Sequence, residues 1–340
     1  MQSTPPTFKE WLDPSPEEAG QNHVEFLKLL GGPTWITLSG KDNSRSRAIV
    51  TLLHGNEPSG LKAVHHMIKS GIQPATKLGI FIASVDAAMK PPVFSHRFLP
   101  DERDMNRCFN PPFDTDQKRL AQALLNKLDD FAPEAIIDAH NTSAHSEPFA
   151  VTDNDLTASL QLTQIFTRKL VLMDLRLGTL IEQRGSFGPT ITIEFGGVMD
   201  PGADRIAKET LANFATRRQL FDAEILPMTV LRHPHRLEID EESVLHYSSS
   251  VQEDADITIF NTIDQLNFTR VDVDTPIGWT GKRGLDILRI ASADGRDMVQ
   301  DYFTEQDGFI LTRRPIILFM ATTDPYIARK DCLLYLTSQE

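Results

Sequence analysis

The run Ala48-Ile49-Val50-Thr51-Leu52-Leu53-His54-Gly55-Asn56-Glu57-Pro58 decides how this chain is read. Its first six residues are apolar or β-branched and make a buried strand. They lead without a linker into a histidine and a glutamate. Pro58 then suits the first turn of a helix over 59–69, where a missing N–H costs nothing. The same pattern recurs outward. Residues 79–85, 135–138 and 190–193 read as further strands, and 117–128, 158–170 and 203–221 as helices. In the helix over 117–128, Leu120, Ala123, Leu124, Leu125 and Leu128 share one face. Strands alternating with helices predict an α/β fold: a mostly parallel or mixed sheet with helices on both faces. Beyond Leu226 the texture changes. The runs 228–231, 244–247, 257–260, 287–290 and 316–319 are of β type, separated by Asp, Gly and Pro. Residues 1–225 are therefore read as an α/β domain and 226–340 as a smaller β-rich one.

The bulk properties agree with a two-domain globular protein. The chain has 340 residues, 40% hydrophobic and 24% charged, which is ample for a buried core. A formal charge of −13 argues against a nucleic-acid partner, which requires a basic face. It also means that an anionic substrate must be captured by local arginines working against the global field. Two cysteines, Cys108 and Cys332, cannot make a disulfide framework and suit a reducing compartment. The first twenty residues lack the apolar core of a secretory signal, and no run approaches the ~18 apolar residues of a membrane span. A cytoplasmic protein with no membrane partner is expected, with a homo-oligomer left open.

The chemistry lies at the ends of the strands. His54-Gly55-Asn56-Glu57 ends the first, Asp138-Ala139-His140-Asn141-Thr142 another, and Glu194-Phe195-Gly196-Gly197 a third. In an open α/β sheet the crevice beyond the carboxyl ends of the strands is where ligands bind. Two histidines and a carboxylate (His54, Glu57 and His140) form a catalytic zinc set with a position left for water. Glu194, a carboxylate finishing an apolar strand, is the candidate general base and acid. Taken singly, each residue also has a plain structural reading. His54 could be a turn histidine held by a carboxylate, and Glu194 half of an ion pair. The bare His-x-x-Glu spacing recurs at His235 and Glu238. Arg97, Arg103 and Arg107 lie within eleven residues with no lysine among them, which suggests bidentate carboxylate recognition. Their alternative is a solvated loop paired with Asp101, Glu102 and Asp104. Arg184, ten residues before Glu194, adds a guanidinium the chain can return to the same place. His65 and His66 read as helix-face residues, His145 as a loop residue, and His233 and His235 as surface residues. No Gly-x-Ser-x-Gly elbow, Gly-x-Gly-x-x-Gly run or phosphate loop is found, which disfavours a serine hydrolase or a nucleotide cofactor.

In that order, His54-Gly-Asn-Glu57, Arg103-Asp-Met-Asn106-Arg107, Asp138-Ala-His140-Asn-Thr and Ile193-Glu194-Phe-Gly resemble the motifs of the succinylglutamate desuccinylase/aspartoacylase family, a branch of the zinc-carboxypeptidase fold. The likeness covers about residues 45–200. It implies a zinc-dependent catalytic domain followed by a smaller β-rich domain that narrows the active-site entrance. It also implies hydrolysis of a small N-acyl amino acid, typically with an acidic amino-acid part. Carried over, one Zn2+ would be held by His54, Glu57 and His140, with Glu194 as general base and acid. Asn106 and Arg107 match the pair that holds a substrate carboxylate, and Arg184 a further carboxylate binder. Arg97, followed by Phe98, matches the arginine that polarises the scissile carbonyl, although the segment to Asn106 is about two residues long for the pattern, which makes Arg103 a rival. Tyr326 corresponds to a pocket tyrosine from the C-terminal domain. Ala139 and Met105 stand where the family has leucines.

The leading expectation is an amidohydrolase acting on an N-acyl amino acid such as N-succinylglutamate or N-acetylaspartate. A zinc carboxypeptidase acting on peptides is the alternative enzyme, and a non-catalytic ligand-binding module the alternative without chemistry.

Overall fold

The computed structural model describes residues 8–292 and 295–338. The chain divides into two compact units. One runs to Asn141 and resumes over Pro148–Val230, and the other consists of Thr142–Glu147 and the residues from Leu231 onward.

Among the described residues the first unit is built on a nine-stranded sheet. Its strands in chain order are β1 (Lys9–Leu12), β2 (Thr34–Leu38), β3 (Asp42–Thr51), β4 (Thr76–Ile82), β5 (Ile136–Thr142), β6 (Phe149–Thr152), β7 (Lys169–Leu172), β8 (Thr190–Gly197) and β9 (Thr229–Leu231). They lie side by side as β1-β2-β4-β3-β5-β8-β6-β7-β9. β3 runs parallel to β4 and β5, whereas β2 is antiparallel to β4 and β6 to β8, so the sheet is mixed. Helices α1 (His23–Leu30), α2 (Ser59–Lys69), α3 (Val85–Met89), α4 (Asp116–Phe131), α5 (Thr157–Thr163) and α6 (Ala203–Thr216) join the strands.

The central strands are apolar on both faces because both are covered. On β3 and β5, Ile49, Ile137 and Ala139 join a core with Leu61 and Val64 of α2 and Leu211 and Phe214 of α6. The alternate positions Ala48, Val50 and Ile136 join a second core with Ala121, Leu124 and Leu128 of α4. Each large side chain so buried contributes ~1.5–3 kcal/mol. The α4 seam is thus Ala121, Leu124 and Leu128, with Leu120 and Leu125 at its margin.

Several elements differ from the sequence reading, each for an identifiable reason. The expected helix over 158–170 stops at Thr163, and Leu170 and Val171 go into β7 beside β6, since a short apolar run carries no periodicity of its own. The last helix ends at Thr216 rather than residue 221. There the fully buried Arg47 donates through Nη1 to the carbonyls of Phe214 and Arg217 and so satisfies the helix end. Val85 opens α3 instead of extending β4, and the run at 228–231 supplies β9, an edge of the first sheet rather than part of the second unit's sheets.

Among the described residues the second unit contains two five-stranded sheets around a core that includes Leu237, Ile259, Ile277, Phe303, Leu318 and Leu334. The short segment Thr142–Glu147 belongs to it: Ser143 Oγ donates to Thr322 Oγ1 (3.1 Å), and Asn267 Nδ2 to the carbonyl of His145 (2.8 Å). Among the described residues no helix is long and apolar enough to cross a membrane.

Candidate active site

β3, β5 and β8 are consecutive neighbours in the sheet, and each delivers a polar group at its carboxyl end. β3 ends at Thr51. Leu52 then adopts a left-handed φ of +57°, and the chain turns through His54-Gly55-Asn56-Glu57 into α2. That turn is pressed against the next loop: Gly55 N donates to Arg97 O at 2.8 Å. A Cβ on Gly55 would come within 2.6 Å of His96 O, so only glycine fits there. On β5, strand alternation puts Asp138 and His140 on the α4 face with Ile136. On β8 it puts Thr192 and Glu194 on one face, and Ile191, Ile193 and Phe195 in the α2/α6 core on the other.

The result is a buried cluster. His54 Nδ1 lies 2.8 Å from Glu57 Oε1, and His140 Nδ1 lies 2.6 Å from Glu57 Oε2. The two rings are 5.0 Å apart. Their outer nitrogens are held by carboxylates: His54 Nε2 by Asp104 Oδ1 (2.9 Å) and His140 Nε2 by Asp138 Oδ1 (3.0 Å). Thr192 Oγ1 in turn donates to Asp138 Oδ2 at 3.0 Å. Asp104 also receives Arg97, through Nε at 3.2 Å and Nη2 at 3.1 Å, while Arg97 Nη1 reaches Glu57 Oε1 at 3.2 Å.

This hydrogen-bond pattern calls for positive charge inside the cluster. If each Nε2 donates its proton to an aspartate, a neutral ring sets its Nδ1 lone pair against a Glu57 oxygen, acceptor against acceptor. The conflict is relieved by a second proton on each ring or by one cation bound to all three groups. Burial and Arg97 work against a charged His54, and burial against a charged His140, yet the facing carboxylates raise both, His140 strongly. Burial likewise disfavours a charged Glu57, but the two imidazoles hold it below the ordinary carboxylate range. His54, Glu57 and His140 can bring ligand atoms within 4.8 Å of one another. With aspartates orienting the outer ring nitrogens, as metal-ligating histidines are commonly oriented, the group fits a divalent metal.

Glu194 is the odd carboxylate of the cluster. It is 7% exposed, and among the described residues its Oε2 has no hydrogen-bond partner. Burial pushes its carboxyl up to about 7; His140 opposes the rise and Glu57 adds to it. A desolvated carboxylate poised near neutrality beside a metal-binding group can exchange a proton with water.

The structure separates the sequence candidates. Arg97 joins the cluster, whereas Arg103 is exposed and borders a different cleft with Asp86, Glu102 and Asp116. Asn106 is buried, its Oδ1 accepting from Leu180 N at 3.3 Å, and the half-buried Arg107 donates to Asn106 O at 3.0 Å. Arg184, expected to return to the cluster, makes its contacts elsewhere. Its side chain, 62% exposed, pairs with Asp153 and donates to the carbonyls of Ile181 and Gln183. Asp153 lies two residues past Val151, which pairs with Thr192, so that arginine is held toward the far end of β8 from Glu194. Tyr326 is 58% exposed on the helix Pro325–Lys330 of the second unit. Sequence reasoning missed Asp104 and Asp138 as partners of the imidazoles. For Asp138 the signal was present, since a carboxylate two residues before a strand histidine shares its face.

The family model of the succinylglutamate desuccinylase/aspartoacylase catalytic domain matches residues 44–220. No curated protein matches the chain in sequence. Solved structures do match in fold. A succinylglutamate desuccinylase/aspartoacylase from Rhodobacter sphaeroides shares 16% identity over 89% of this chain and 88% of its own, with a TM-score of 0.57. Murine aminoacylase 3 shares 15% over 87% and 96%, with a TM-score of 0.55. The product-bound ectoine utilization protein EutE (DoeB) from Ruegeria pomeroyi shares 16% over 83% and 81%, also at 0.55. The fold is thereby the zinc-carboxypeptidase-like α/β fold expected from the sequence.

Proposed function

Since the chain belongs to the succinylglutamate desuccinylase/aspartoacylase family, whose members hydrolyse N-acyl amino acids, we propose that it is a zinc-dependent amidohydrolase releasing the acyl group from an N-acyl amino acid with an acidic amino-acid part. N-succinylglutamate and N-acetylaspartate are the model substrates. The observation that carries this reading is a His54–Glu57–His140 group with a buried carboxylate, Glu194, whose Oε2 has no hydrogen-bond partner among the described residues.

His54, Glu57 and His140 would hold the zinc ion, which when bound would supply a Lewis acid able to lower the pKa of water and polarise a carbonyl. Asp104 and Asp138 orient the two imidazoles for that task. Glu194, with a carboxyl near 7, takes a proton from the attacking water and returns it to the leaving nitrogen. Arg97 turns its guanidinium toward the oxygen that becomes negative as the amide is attacked. Asn106 and Arg107 hold a substrate carboxylate, for which a guanidinium has the matching geometry. Arg184 stays on Asp153 in this scheme.

A panel of N-acyl amino acids and C-terminal peptides, assayed with and without a chelator, tests the proposal. Chelator-sensitive hydrolysis of an acidic N-acyl amino acid is the expected result. Hydrolysis confined to peptides, or indifferent to the chelator, refutes it.

A further inference from the structure

Asn141 follows His140 on β5, so alternation turns its side chain away from the imidazole and toward the α2/α6 face, the side of Ile137 and Ala139. It is 2% exposed and uses both ends of its amide. Oδ1 accepts from Ser59 N at 3.0 Å, and Nδ2 donates to Gly196 O at 3.1 Å. Its backbone N–H also lies 3.3 Å from Glu57 Oε2. None of these partners is adjacent in sequence, and each abuts a group of the active site. Ser59 begins α2 two residues after Glu57, and Gly196 lies two residues after Glu194.

Both contacts fall where the backbone lacks local support. The residue capping α2 is Pro58, which offers no side-chain acceptor, and the first N–H groups of a helix have no partner within it. Asn141 therefore caps α2 from a different strand. Gly196 adopts a φ of +108°, a conformation open to glycine alone, and its carbonyl is turned onto the Asn141 amide. The packing beneath is equally close, since a Cβ on Gly60 would approach Thr51 Oγ1 within 2.2 Å. Any change in the α2 start thus passes to β3 and β5.

We propose that Asn141 is a positioning residue that sets the separation between the His54–Glu57–His140 group and Glu194. It does so by strapping the start of α2 and the end of β8 to the strand that carries His140. The inference rests on the reading of this site as a hydrolase in which Glu194 moves the proton. A displacement of about 1 Å between such groups costs on the order of 100-fold in rate.

The test uses the full chain with Asn141→Leu, which removes donor and acceptor, and Asn141→Asp, which keeps the acceptor for Ser59 N and loses the donor to Gly196 O. Hydrogen–deuterium exchange on metal-stripped protein reads the strap without reference to activity. Asn141→Leu is expected to speed exchange about 10-fold or more in both 59–62 and 194–197, with α4 unchanged, and Asn141→Asp to do so in 194–197 only. With metal content at the wild-type level, kcat falls about 10- to 100-fold while KM stays within about threefold. Unchanged exchange at 194–197 in both variants overturns the proposal, and so does a loss of kcat that follows loss of metal. If Asn141→Leu does not fold, Asn141→Asp decides alone. If the wild type hydrolyses nothing on the panel, the hydrolase reading falls, and the exchange pattern still judges the strap.

Discussion

Replacing Glu194 by Gln should disable the enzyme and stabilise the protein. The carboxyl sits at about 7 in the folded chain against an ordinary 4.5, chiefly because it is buried. A raised folded value means that the native state binds the proton more tightly than the unfolded one. The stability it brings is complete below about 4.5 and disappears as pH rises through 7. At about 1.36 kcal/mol per pH unit, the penalty for keeping an ionised Glu194 buried reaches roughly 3 kcal/mol above pH 7. Glutamine carries no charge and escapes it. Urea unfolding of metal-stripped wild type and Glu194→Gln at pH 5 and pH 8 measures the difference. The variant should be nearly equal to wild type at the lower pH and more stable by roughly 3 kcal/mol at the higher. With metal restored, kcat should fall ~10²–10⁴-fold while the variant keeps its metal. Equal stability at both pH values would show that Glu194 is not the desolvated group its surroundings imply. Retained activity would remove it from the proton transfer.

Two further outcomes concern the shell around the cluster. Asp138→Asn should weaken metal affinity about 10–100-fold, measured by competition with a chromogenic chelator; affinity at the wild-type level would mean that the aspartate does not orient His140. Arg107→Ala should raise KM for an acidic N-acyl amino acid by the equivalent of about 1.5–3 kcal/mol, and an unchanged KM in steady-state assays would release Arg107 from carboxylate binding.

How far the sequence could be read depended on the scale of the signal. Helix α2 was legible to the residue because Pro58 marks its start and a regular apolar stripe succeeds it. His54, Glu57, His140 and Glu194 were legible as a group because buried strands ending in ionisable residues have few structural uses. Residues 158–170 misled, since a four-residue strand and a helical turn of Leu and Val look alike until a partner strand is known. The surroundings of Arg184 were hidden for a related reason. Its distance along the chain from Glu194 was visible, but the descent of residues 184–189 toward the opposite end of β8 and the carboxylate of Asp153 were not. The partnership of Asp104 with His54 spans fifty residues, and no local pattern encodes which acidic residue of a charged loop turns inward.

That β3 and β5 lie side by side constrains when a metal can arrive. Glu57 and His140 are 83 residues apart in the chain yet are brought together by adjacent strands, about 4.8 Å apart. A ribosome-bound chain that has not yet released residue 140 lacks the third donor, whatever the state of its N-terminal half. A metal held by His54, Glu57 and His140 would therefore find its full donor set only once the middle of the sheet had assembled, and would act as a latch on finished architecture rather than a seed for it. Its binding energy would fall wholly on the folded side of the balance, so metal starvation would shorten the lifetime of completed molecules without slowing their synthesis into shape.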